Sequence, residues 1–540
     1  MDQYIEPTRA SSYKTTSMPT HLQLLGLAIA VVIIFFLWGA FKNFDLWDEG
    51  FLWYGVQRVM LGEVPIRDFM AYDPGRYYWS ALIMRLLGSN GIIALRISLA
   101  MFQTIGVFAG LTLISREAKN KDLLFLLISA AAMVLWMTQF CKIPDYTISI
   151  ITIYLLAGMI RNPNPNSFFL GGVGLGLAAI FGRNHGLYGI IGHICAFALL
   201  SIGPVKGIIK KNVILMWSAG IVVGFMPVFL MALFVRGFAD AFWTSILFLF
   251  HSKSTNLALP IPWPWKLDYS NFTLNTSMNF TPNASIYSLM LGLMFISLLV
   301  FGILSACWVV WKRHKGGAPL PSTFVAASLL SLPYAHYAFS RAEAYHLGMG
   351  IYPFLIGILV LLSSQTAKIK WPTTIVFVVT FLWVPLNNHA GWASQNNNWV
   401  EYEISGSKLI VPPEMASTLT DTKDLIDTLA TDGKSFLVVP YWPGIYAVFN
   451  KKSPTWEIFP LWPRSSDFEK VEIQRIKSTN LGFILVWNYA LDGRPERQFK
   501  YTHPLTYKYI TENFSRNSNV GYLFELYTPK VVHKPLIGGS

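Results

Sequence analysis

The sequence is poor in cysteine and in charged residues. It has three cysteines, and no two of them form a CxxC or Cys/His spacing, which excludes a disulfide framework or a zinc-finger pattern. Charged residues make up 13% of the 540 residues, against roughly a quarter in soluble globular domains. Their scarcity in long apolar runs excludes a single soluble domain and is typical of membrane spans joined by polar connections.

The net charge of +13 raises the question of a nucleic-acid partner. The lysines and arginines are dispersed, and much of the excess lies beside apolar runs rather than in one basic patch. Membrane proteins show this pattern because their cytoplasmic loops are enriched in Lys and Arg. We therefore expect membrane lipids as partners and no nucleic acid.

Apolar runs of about 20 residues, long enough to cross a bilayer as a helix, recur along the chain. They predict about eleven spans, near residues 22–41, 91–114, 122–140, 145–160, 168–181, 186–202, 212–235, 285–311, 321–339, 346–364 and 371–387. Lys and Arg accompany every second connection, namely 115–121, 161–166, 203–211, 312–319 and 365–370. The positive-inside rule then predicts a cytoplasmic N-terminus and an extracytoplasmic C-terminal domain.

The predicted fold is an α-helical polytopic protein of the inner or plasma membrane with an added α/β domain. Its predicted parts are a cytoplasmic tail (1–21), a membrane domain (22–395) with long outer loops (42–90 and 236–284), and a soluble extracytoplasmic domain (396–536). In the first loop, amphipathic stretches at 48–61 and 75–87 predict interfacial helices. Short apolar runs at 435–440 and 482–486 predict buried strands, and 422–430 predicts a helix. Residues 537–540 look like an expression remnant.

Acidic residues cluster on the predicted outer side. Asp48 and Glu49 follow the first span directly, and Asp145 begins the fourth. Adjacent carboxylates raise each other's pKa when they are partly buried, and one of them is a candidate general base for an acceptor hydroxyl. The alternative is that Asp48 only caps the N-terminus of the helix that follows it.

Cations from distant loops fall on the same side. They are Arg76, Arg183, Arg341 and His346. Guanidinium groups bind phosphate oxygens through two parallel hydrogen bonds, so this set suits a lipid-linked phosphate leaving group. The alternative is that the arginines reach lipid headgroups as interfacial anchors.

These motifs resemble those of the GT-C glycosyltransferases. Trp47-Asp48-Glu49-Gly50 is similar to their Asp-Glu motif, and residues 69–79 are similar to the later first-loop motif of the aminoarabinose-transferase and protein-mannosyltransferase branch. In that motif Asp73 and Gly75 depart from the usual residues, and Arg76 stands in for a lysine. Ser340-Arg341-Ala342-Glu343 with His346 resembles a segment of arabinofuranosyltransferases.

The resemblance implies transfer of a sugar from a polyprenyl-phosphate donor to an acceptor hydroxyl, with inversion at the anomeric carbon. Asp48 is then the general base, and Glu49 or Asp145 orients the acceptor or the base. The four cations stabilise the phosphate. Candidate substrate contacts are Tyr72, Asp73, Glu343, Trp263 and Trp265. The two tryptophans, with Tyr441 and Trp442, are candidates for stacking on sugar rings, and interfacial anchoring is the alternative. Asp48, Glu49 and Asp145 also supply the oxygen ligands that magnesium or calcium prefers.

Two other functions compete with this interpretation. A secondary transporter is disfavoured because the sequence has no inverted repeat of spans, and its charge gathers at one face rather than at mid-bilayer. An O-antigen ligase or polymerase would also use a polyprenyl-linked sugar, but such enzymes lack a C-terminal soluble domain. The Arg341-Ala342-Glu343 resemblance favours a pentofuranose donor such as arabinofuranose, and a glycan, a lipid or a protein remains open as the acceptor.

Overall fold

The computed structural model describes most of the chain. The described residues are 19–118, 122–202, 211–252, 256–273, 283–316, 319–394, 398–520 and 524–530. Most of the predicted cytoplasmic tail, parts of the charged connections at 119–121 and 203–210, part of the fourth outer loop at 274–282, and the end of the chain from 531 lie outside the described residues.

Helices dominate the first 393 residues. They are α1 (His21–Gly39), α2 (Asp48–Met60), α3 (Gly75–Leu86), α4 (Ile92–Glu117), α5 (Leu123–Leu135), α6 (Ile143–Arg161), α7 (Pro165–Phe181), α8 (Arg183–Ser201), α9 (Lys211–Phe234), α10 (Phe238–Ser252), α11 (Ile286–Lys315), α12 (Ser322–Ser340), α13 (Ala344–Ser363), α14 (Ala367–Phe381), α15 (Trp383–Asn388) and α16 (Ala390–Ala393). A short parallel pair, β1 (Asp268–Thr273) and β2 (Asn283–Ser285), precedes α11.

Each of the eleven predicted spans coincides with a helix. Fewer than eleven of these helices are long and apolar enough to cross a membrane. Among the described residues, seven helices are long and apolar enough to cross a membrane. The helices α5 and α7 are apolar but shorter. The chain is therefore a multi-pass membrane protein, and the count of eleven spans stays a prediction.

Two details of the predicted loops were wrong, whereas the last predicted span lies within the candidate span Ala367–Asn388 even though its helix is broken there. Helix α8 already begins at Arg183, because a single extended residue, Gly182, separates it from α7. The fourth outer loop contains the 15-residue helix α10, whose apolar residues were read as loop. The last span is interrupted after Phe381, where α14 ends and α15 begins.

The Lys- and Arg-rich connections gather at one end of the helix bundle. Arg313, at the end of α11, donates to the carbonyl of Ile202 just beyond α8. Glu117, at the end of α4, accepts from the hydroxyls of Ser322 and Thr323 at the start of α12. The acidic residues of the outer connections, such as Asp145 at the start of α6, lie at the other ends of the same helices.

The C-terminal part is an α/β domain. Its strands are β3 (Val400–Ile404), β4 (Ser407–Val411), β5 (Ser435–Val439), β6 (Leu481–Val486), β7 (Phe514–Val520) and β8 (Phe524–Pro529), and its helices are α17 (Pro413–Leu429), α18 (Gly444–Val448), α19 (Ser466–Ser478), α20 (Phe499–Thr502) and α21 (Pro504–Asn513). β3 and β4 form a hairpin. The other four strands form a sheet in the order β5-β6-β8-β7, in which only β5 and β6 are parallel.

This domain packs directly on α2 of the first loop. A Cβ added to Gly50 would lie 2.3 Å from the Cα of Gly444, so the two backbones touch. The amide of Gly444 donates to Leu46 O at 2.9 Å, and Gln57 Nε2 donates to Ala447 O at 3.1 Å. Because glycine stands on both sides, α2 is held between the membrane helices and the C-terminal domain.

Helices α7 and α9 pack with their backbones in close contact. A Cβ added to Gly224 would lie 2.1 Å from the carbonyl oxygen of Val173, and one added to Gly176 would lie 2.4 Å from that of Ile221. Small residues permit such close backbone approach between membrane helices. This packing fixes α7, whose end at Phe181 borders the site described below.

Gly224→Ala should therefore destabilise the protein. The added methyl group meets backbone rather than a flexible side chain, so the helices must separate, at a cost of about 1–3 kcal/mol. The thermal midpoint of the purified protein in detergent measures this effect. Gly158→Ala is the matched control, because nothing lies within 4 Å of a Cβ there. Equal thermal midpoints for the two variants would contradict the close packing.

Candidate active site

A large cavity opens at the end of the bundle opposite the Lys- and Arg-rich connections. Its volume is about 1870 Å³, larger than the 300–1,000 Å³ of common small-molecule sites. The first loop, the segment 138–142 before α6, the starts of α8 and α13, helix α10 and the C-terminal domain all contribute to its wall. Nine of the predicted site residues line it: Asp48, Glu49, Tyr72, Asp73, Arg76, Arg183, Arg341, Glu343 and His346.

The start of α2 is capped by Asp45, which sequence reasoning did not single out. Its carboxylate accepts hydrogen bonds from the backbone amides of Trp47, Asp48 and Glu49. Burial, together with the neighbouring Asp48 and Glu49 carboxylates, raises the pKa of Asp45 to about 7. Asp45 therefore takes the capping role that was the alternative for Asp48, and the side chain of Asp48 is turned to other partners.

Asp48 points to a lysine and a tyrosine. Tyr72 Oη donates to Asp48 Oδ1 at 2.8 Å, and Lys142 Nζ lies 3.2 Å from the same oxygen. Lys142 Nζ also donates to Tyr72 Oη at 3.1 Å, so the three groups form a closed triangle. Burial raises the pKa of Asp48, but Lys142 and Tyr72 outweigh it, and the pKa lies below its ordinary value. The Asp48 side chain remains 31% exposed, so a substrate can reach it.

Glu49 has a different environment from its neighbour. Arg96 of α4 binds it through two hydrogen bonds of 2.7 Å, and both side chains are buried. The same guanidinium donates to the carbonyls of Ala40 and Asn43, in the connection between α1 and α2. Glu49 is therefore an anchor for the start of α2, and its oxygens are already occupied.

Asp145 is also held by a buried cation. Arg76 binds it in a fork with distances of 3.0 and 3.1 Å, and His185 Nε2 and the Tyr337 hydroxyl reach the same carboxylate. Arg76 further donates to the carbonyl of Phe181 at the end of α7. Asp145 does not line the cavity. The Arg76–Asp145 pair and its hydrogen-bond partners therefore connect α3, α6, α7 and α8.

Two further predicted cations are paired with carboxylates. Arg183 Nε lies 2.7 Å from Asp73, and its Nη1 donates to Ser245 of α10. Arg341 binds Asp492 of the C-terminal domain in a fork with distances of 2.7 and 2.9 Å, and it also contacts Glu343. Arg341 thus ties the C-terminal domain to the end of α12.

His346 lies in the first turn of α13. Its Nδ1 is 2.6 Å from Glu343 Oε1, and its Nε2 contacts the side-chain amide of Asn256. His346 is among the neighbours that lower the pKa of Asp48, after the larger effects of Lys142 and Tyr72. His346 is therefore close enough to Asp48 to influence it, as the motif comparison requires.

The tryptophans of the fourth outer loop lie elsewhere. Trp263 and Trp265 stack on each other with ring centroids 5.2 Å apart, and neither lines the cavity. Trp265 is exposed. Several aromatic residues that line the cavity come from the C-terminal domain, among them Trp442, Trp456, Phe459, Trp462 and Phe468.

The predicted oxygen ligands do not form a metal site. Asp48, Glu49 and Asp145 each bind a different cation, Lys142, Arg96 and Arg76 respectively. Across the described ranges, no three His, Cys, Asp or Glu side chains are arranged to hold a metal ion. This donor set does not fit magnesium or calcium, because its charge is already neutralised.

Lys142 and Arg96 are the main residues that sequence reasoning missed. Lys142 ends the 3-10 turn Phe140–Lys142, directly before α6. It lies three residues before Asp145, but the two side chains bind different partners, Asp48 and Arg76. Arg96 is an isolated charge in an apolar span, which is itself a signal for a functional or structural partner.

Glu49→Gln should destabilise the protein strongly. Removing one partner leaves the Arg96 guanidinium buried without its counter-charge, which costs about 3–5 kcal/mol. The thermal midpoint of the purified Glu49→Gln variant, compared with that of the wild-type protein, measures this loss of stability. The control is Glu401→Gln, which breaks an exposed ion pair with Lys408 and should leave the midpoint unchanged. Tolerance of both substitutions would mean that the buried pair does not anchor α2.

Comparison with known proteins finds similarity in the fold. No protein-family model and no curated protein sequence matches the chain. The structure of ArnT from Cupriavidus metallidurans in the apo state aligns over 93% of this chain and 97% of that chain, with a TM-score of 0.50 and 11% identity.

The archaeal oligosaccharyltransferase AglB from Archaeoglobus fulgidus aligns less closely. Its complex with an inhibitory peptide and a dolichol-phosphate covers 96% of this chain and 75% of that chain, with a TM-score of 0.44 and 10% identity. The form of that protein tethered to an acceptor peptide aligns over 94% of this chain and 74% of that chain, with a TM-score of 0.46 and 11% identity. ArnT and AglB are both members of the GT-C superfamily. From the similarity to ArnT, we conclude that this chain has the GT-C fold.

Proposed function

We propose that the protein is a membrane glycosyltransferase that uses a lipid-linked sugar donor. The observation that carries this proposal is the position of Asp48 in the cavity. It is a partly exposed carboxylate next to the ammonium of Lys142, with a buried scaffold of ion pairs behind it. A base beside a cation suits a displacement in which a hydroxyl loses a proton while a phosphate gains charge.

The reaction that we propose is a direct displacement at the anomeric carbon, with inversion. The acceptor oxygen forms a bond to that carbon, and the bond from the carbon to the phosphate oxygen breaks with its electron pair going to the phosphate. The hydroxyl proton goes to Asp48. Lys142 and His346 face the developing phosphate charge, and Arg183, which is 26% exposed, is the remaining candidate contact from the predicted set.

The other predicted residues are assigned supporting roles. Glu49 and Asp145 are buried against arginines, so we assign them to positioning rather than to contact with substrate. Arg76 holds α3 against α6, and Arg341 holds the C-terminal domain. Tyr72 contacts the base directly, while Asp73 and Glu343 orient Arg183 and His346. Substrate contact by Trp263 and Trp265 has no support from their position.

The donor and the acceptor are proposed by class. A polyprenyl-phosphate sugar suits a cavity that has the ammonium of Lys142 on one side and apolar residues of helix α10, Leu247, Phe248 and Leu249, on another. Resemblance of the Arg341-Ala342-Glu343 segment favours a pentose such as arabinofuranose. The acceptor is a hydroxyl of a glycan, lipid or protein, for which the tryptophans of the C-terminal wall offer stacking surfaces. The site faces the extracytoplasmic side of the membrane if the positive connections are cytoplasmic.

Asp48→Asn tests the proposal. The amide cannot accept the hydroxyl proton, so turnover of a polyprenyl-phosphate sugar should fall by about 10²–10⁴-fold, while binding of the donor lipid persists. Transfer by the purified protein in nanodiscs measures this effect. Asp68→Asn is the control, because Asp68 lies in the same loop but pairs with Arg67 and does not line the cavity.

The same variant separates the competing functions. A transporter would retain counterflow of its substrate in proteoliposomes after Asp48→Asn, and it would release no free polyprenyl phosphate. Full transfer activity of Asp48→Asn would rule out Asp48 as the base. Loss of activity in Asp68→Asn to the same extent would mean that the effect arises from the fold of the loop.

A further inference from the structure

Lys142 contacts the proposed base and keeps a hydrogen-bond donor for a substrate oxygen. Its Nζ lies 3.2 Å from Asp48 Oδ1 and 3.1 Å from Tyr72 Oη, and 4.6 Å from the centroid of the Tyr72 ring. An ammonium group has three N–H donors. Two of them are used within the part of the chain that the structure describes, which leaves one for an incoming oxygen.

The pairing with Lys142 makes Asp48 a poor base before substrate binds. Several titratable groups face Asp48: Asp45 and Glu49 from its own segment, Tyr72 from the first loop, Cys141 and Lys142 before α6, and His346 from α13. Among the neighbours that lower the pKa of Asp48, Lys142 has the largest effect. A carboxylate with a lowered pKa accepts a proton less readily than a free one.

We propose that Lys142 is an exchange residue: its ammonium caps Asp48 in the free protein and shifts to the phosphate of the donor when the donor binds. This inference rests on the function proposed above and adds to it a mechanism by which donor binding activates the base. The cation is then shared with the phosphate, so Asp48 is released to accept the proton of the acceptor hydroxyl.

The charge movements of the reaction favour this exchange. The O–H bond of the acceptor breaks and its proton neutralises Asp48, while the C–O bond to the phosphate breaks and its electron pair adds charge to the phosphate. As the reaction proceeds, the negative charge on Asp48 decreases and the negative charge on the phosphate increases. The attraction of the Lys142 ammonium to the phosphate therefore grows while its attraction to Asp48 weakens. One ammonium that donates to a carboxylate oxygen and to a phosphate oxygen holds the two oxygens about 5 Å apart, because its N–H bonds lie at a tetrahedral angle.

The cations around Lys142 are less suited to move. Arg76, Arg96 and Arg341 each bind a carboxylate in a fork and also donate to backbone carbonyls. A guanidinium fixed by two parallel bonds holds its geometry, whereas lysine is a compact charge on a flexible stem with rotatable donors. Lys142 has one bond to a carboxylate and one to a hydroxyl, so a small rotation redirects it.

The test measures the pKa of Asp48 with and without the lipid carrier. Polyprenyl phosphate is added to the protein in nanodiscs, and the infrared carboxyl band that Asp48→Asn removes is followed as a function of pH. The exchange predicts that the carrier raises the pKa of Asp48 by about one unit or more, because an opposite charge shifts a carboxylate by about one to three units. An unchanged pKa in the wild-type protein would overturn it.

Lys142→Gln and Lys142→Arg complete the test. The glutamine variant should already have the higher pKa without the carrier, should show a smaller shift when the carrier is added, and should bind polyprenyl phosphate at least tenfold more weakly. The arginine variant keeps the charge and should keep carrier affinity within a few fold, which also serves as a check on folding. Carrier affinity of Lys142→Gln equal to wild type would contradict the exchange.

Failure of the exchange and failure of the proposed function give different results. If Asp48→Asn abolishes transfer but Lys142→Gln changes neither carrier affinity nor the pKa of Asp48, only the exchange is wrong. If Asp48→Asn transfers sugar at the wild-type rate, the assignment of the base is wrong, and the exchange falls with it because Asp48 has no proton to accept.

Discussion

The buried ion pair between Glu49 and Arg96 is the constraint on which the site depends. It joins the start of α2 to a membrane helix, and the same guanidinium holds two carbonyls of the connection before it. Asp45 caps the helix from the other side. Because Glu49 and Asp45 are both held in this way, the Asp48 side chain is directed toward Tyr72 and Lys142. Two adjacent acids thus have distinct roles, because one is saturated by arginine and the other faces the cavity.

Pairing of charges explains how a cavity with so many ionisable groups is stable next to a membrane. Arg76 is neutralised by Asp145, Arg183 by Asp73, and Arg341 by Asp492 and Glu343. Unpaired charges at this depth would be costly, whereas paired and hydrogen-bonded ones are tolerated. These pairs also connect elements that are distant in sequence, so the charges that looked like a phosphate-binding set act first as ties between helices. Lys142, which was not in that set, is held by one carboxylate oxygen and one phenol rather than by a fork.

The sequence predicted much of the membrane architecture because its signals are local. The helices at 48–60 and 75–86 agree with the amphipathic stretches to within one residue, and each apolar run is a helix. The break at Gly182 was placed too broadly, since hydropathy does not resolve a one-residue interruption. Helix α10 was missed because an outer loop was assumed wherever the orientation required one.

The candidate site could be predicted only as a set of residues, not as pairs. That Asp48, Arg341 and His346 line one cavity follows from the alternation of the spans. The pairing of Arg76 with Asp145, 69 positions away, depends on tertiary packing that no local sequence pattern records. The same holds for the pairing of Arg341 with Asp492. Of the aromatic residues proposed for sugar stacking, Trp263 and Trp265 lie away from the cavity, whereas Trp442 of the C-terminal domain lines it. That domain reaches the cavity because it rests on α2 through Gly50 and Gly444.

A structure of the protein in nanodiscs with polyprenyl phosphate bound would test the central claim most directly. The account predicts the phosphate in the cavity beside Asp48, with one of its oxygens within about 3 Å of Lys142 Nζ. Phosphate density at the opposite end of the bundle, near the Lys- and Arg-rich connections, would contradict it.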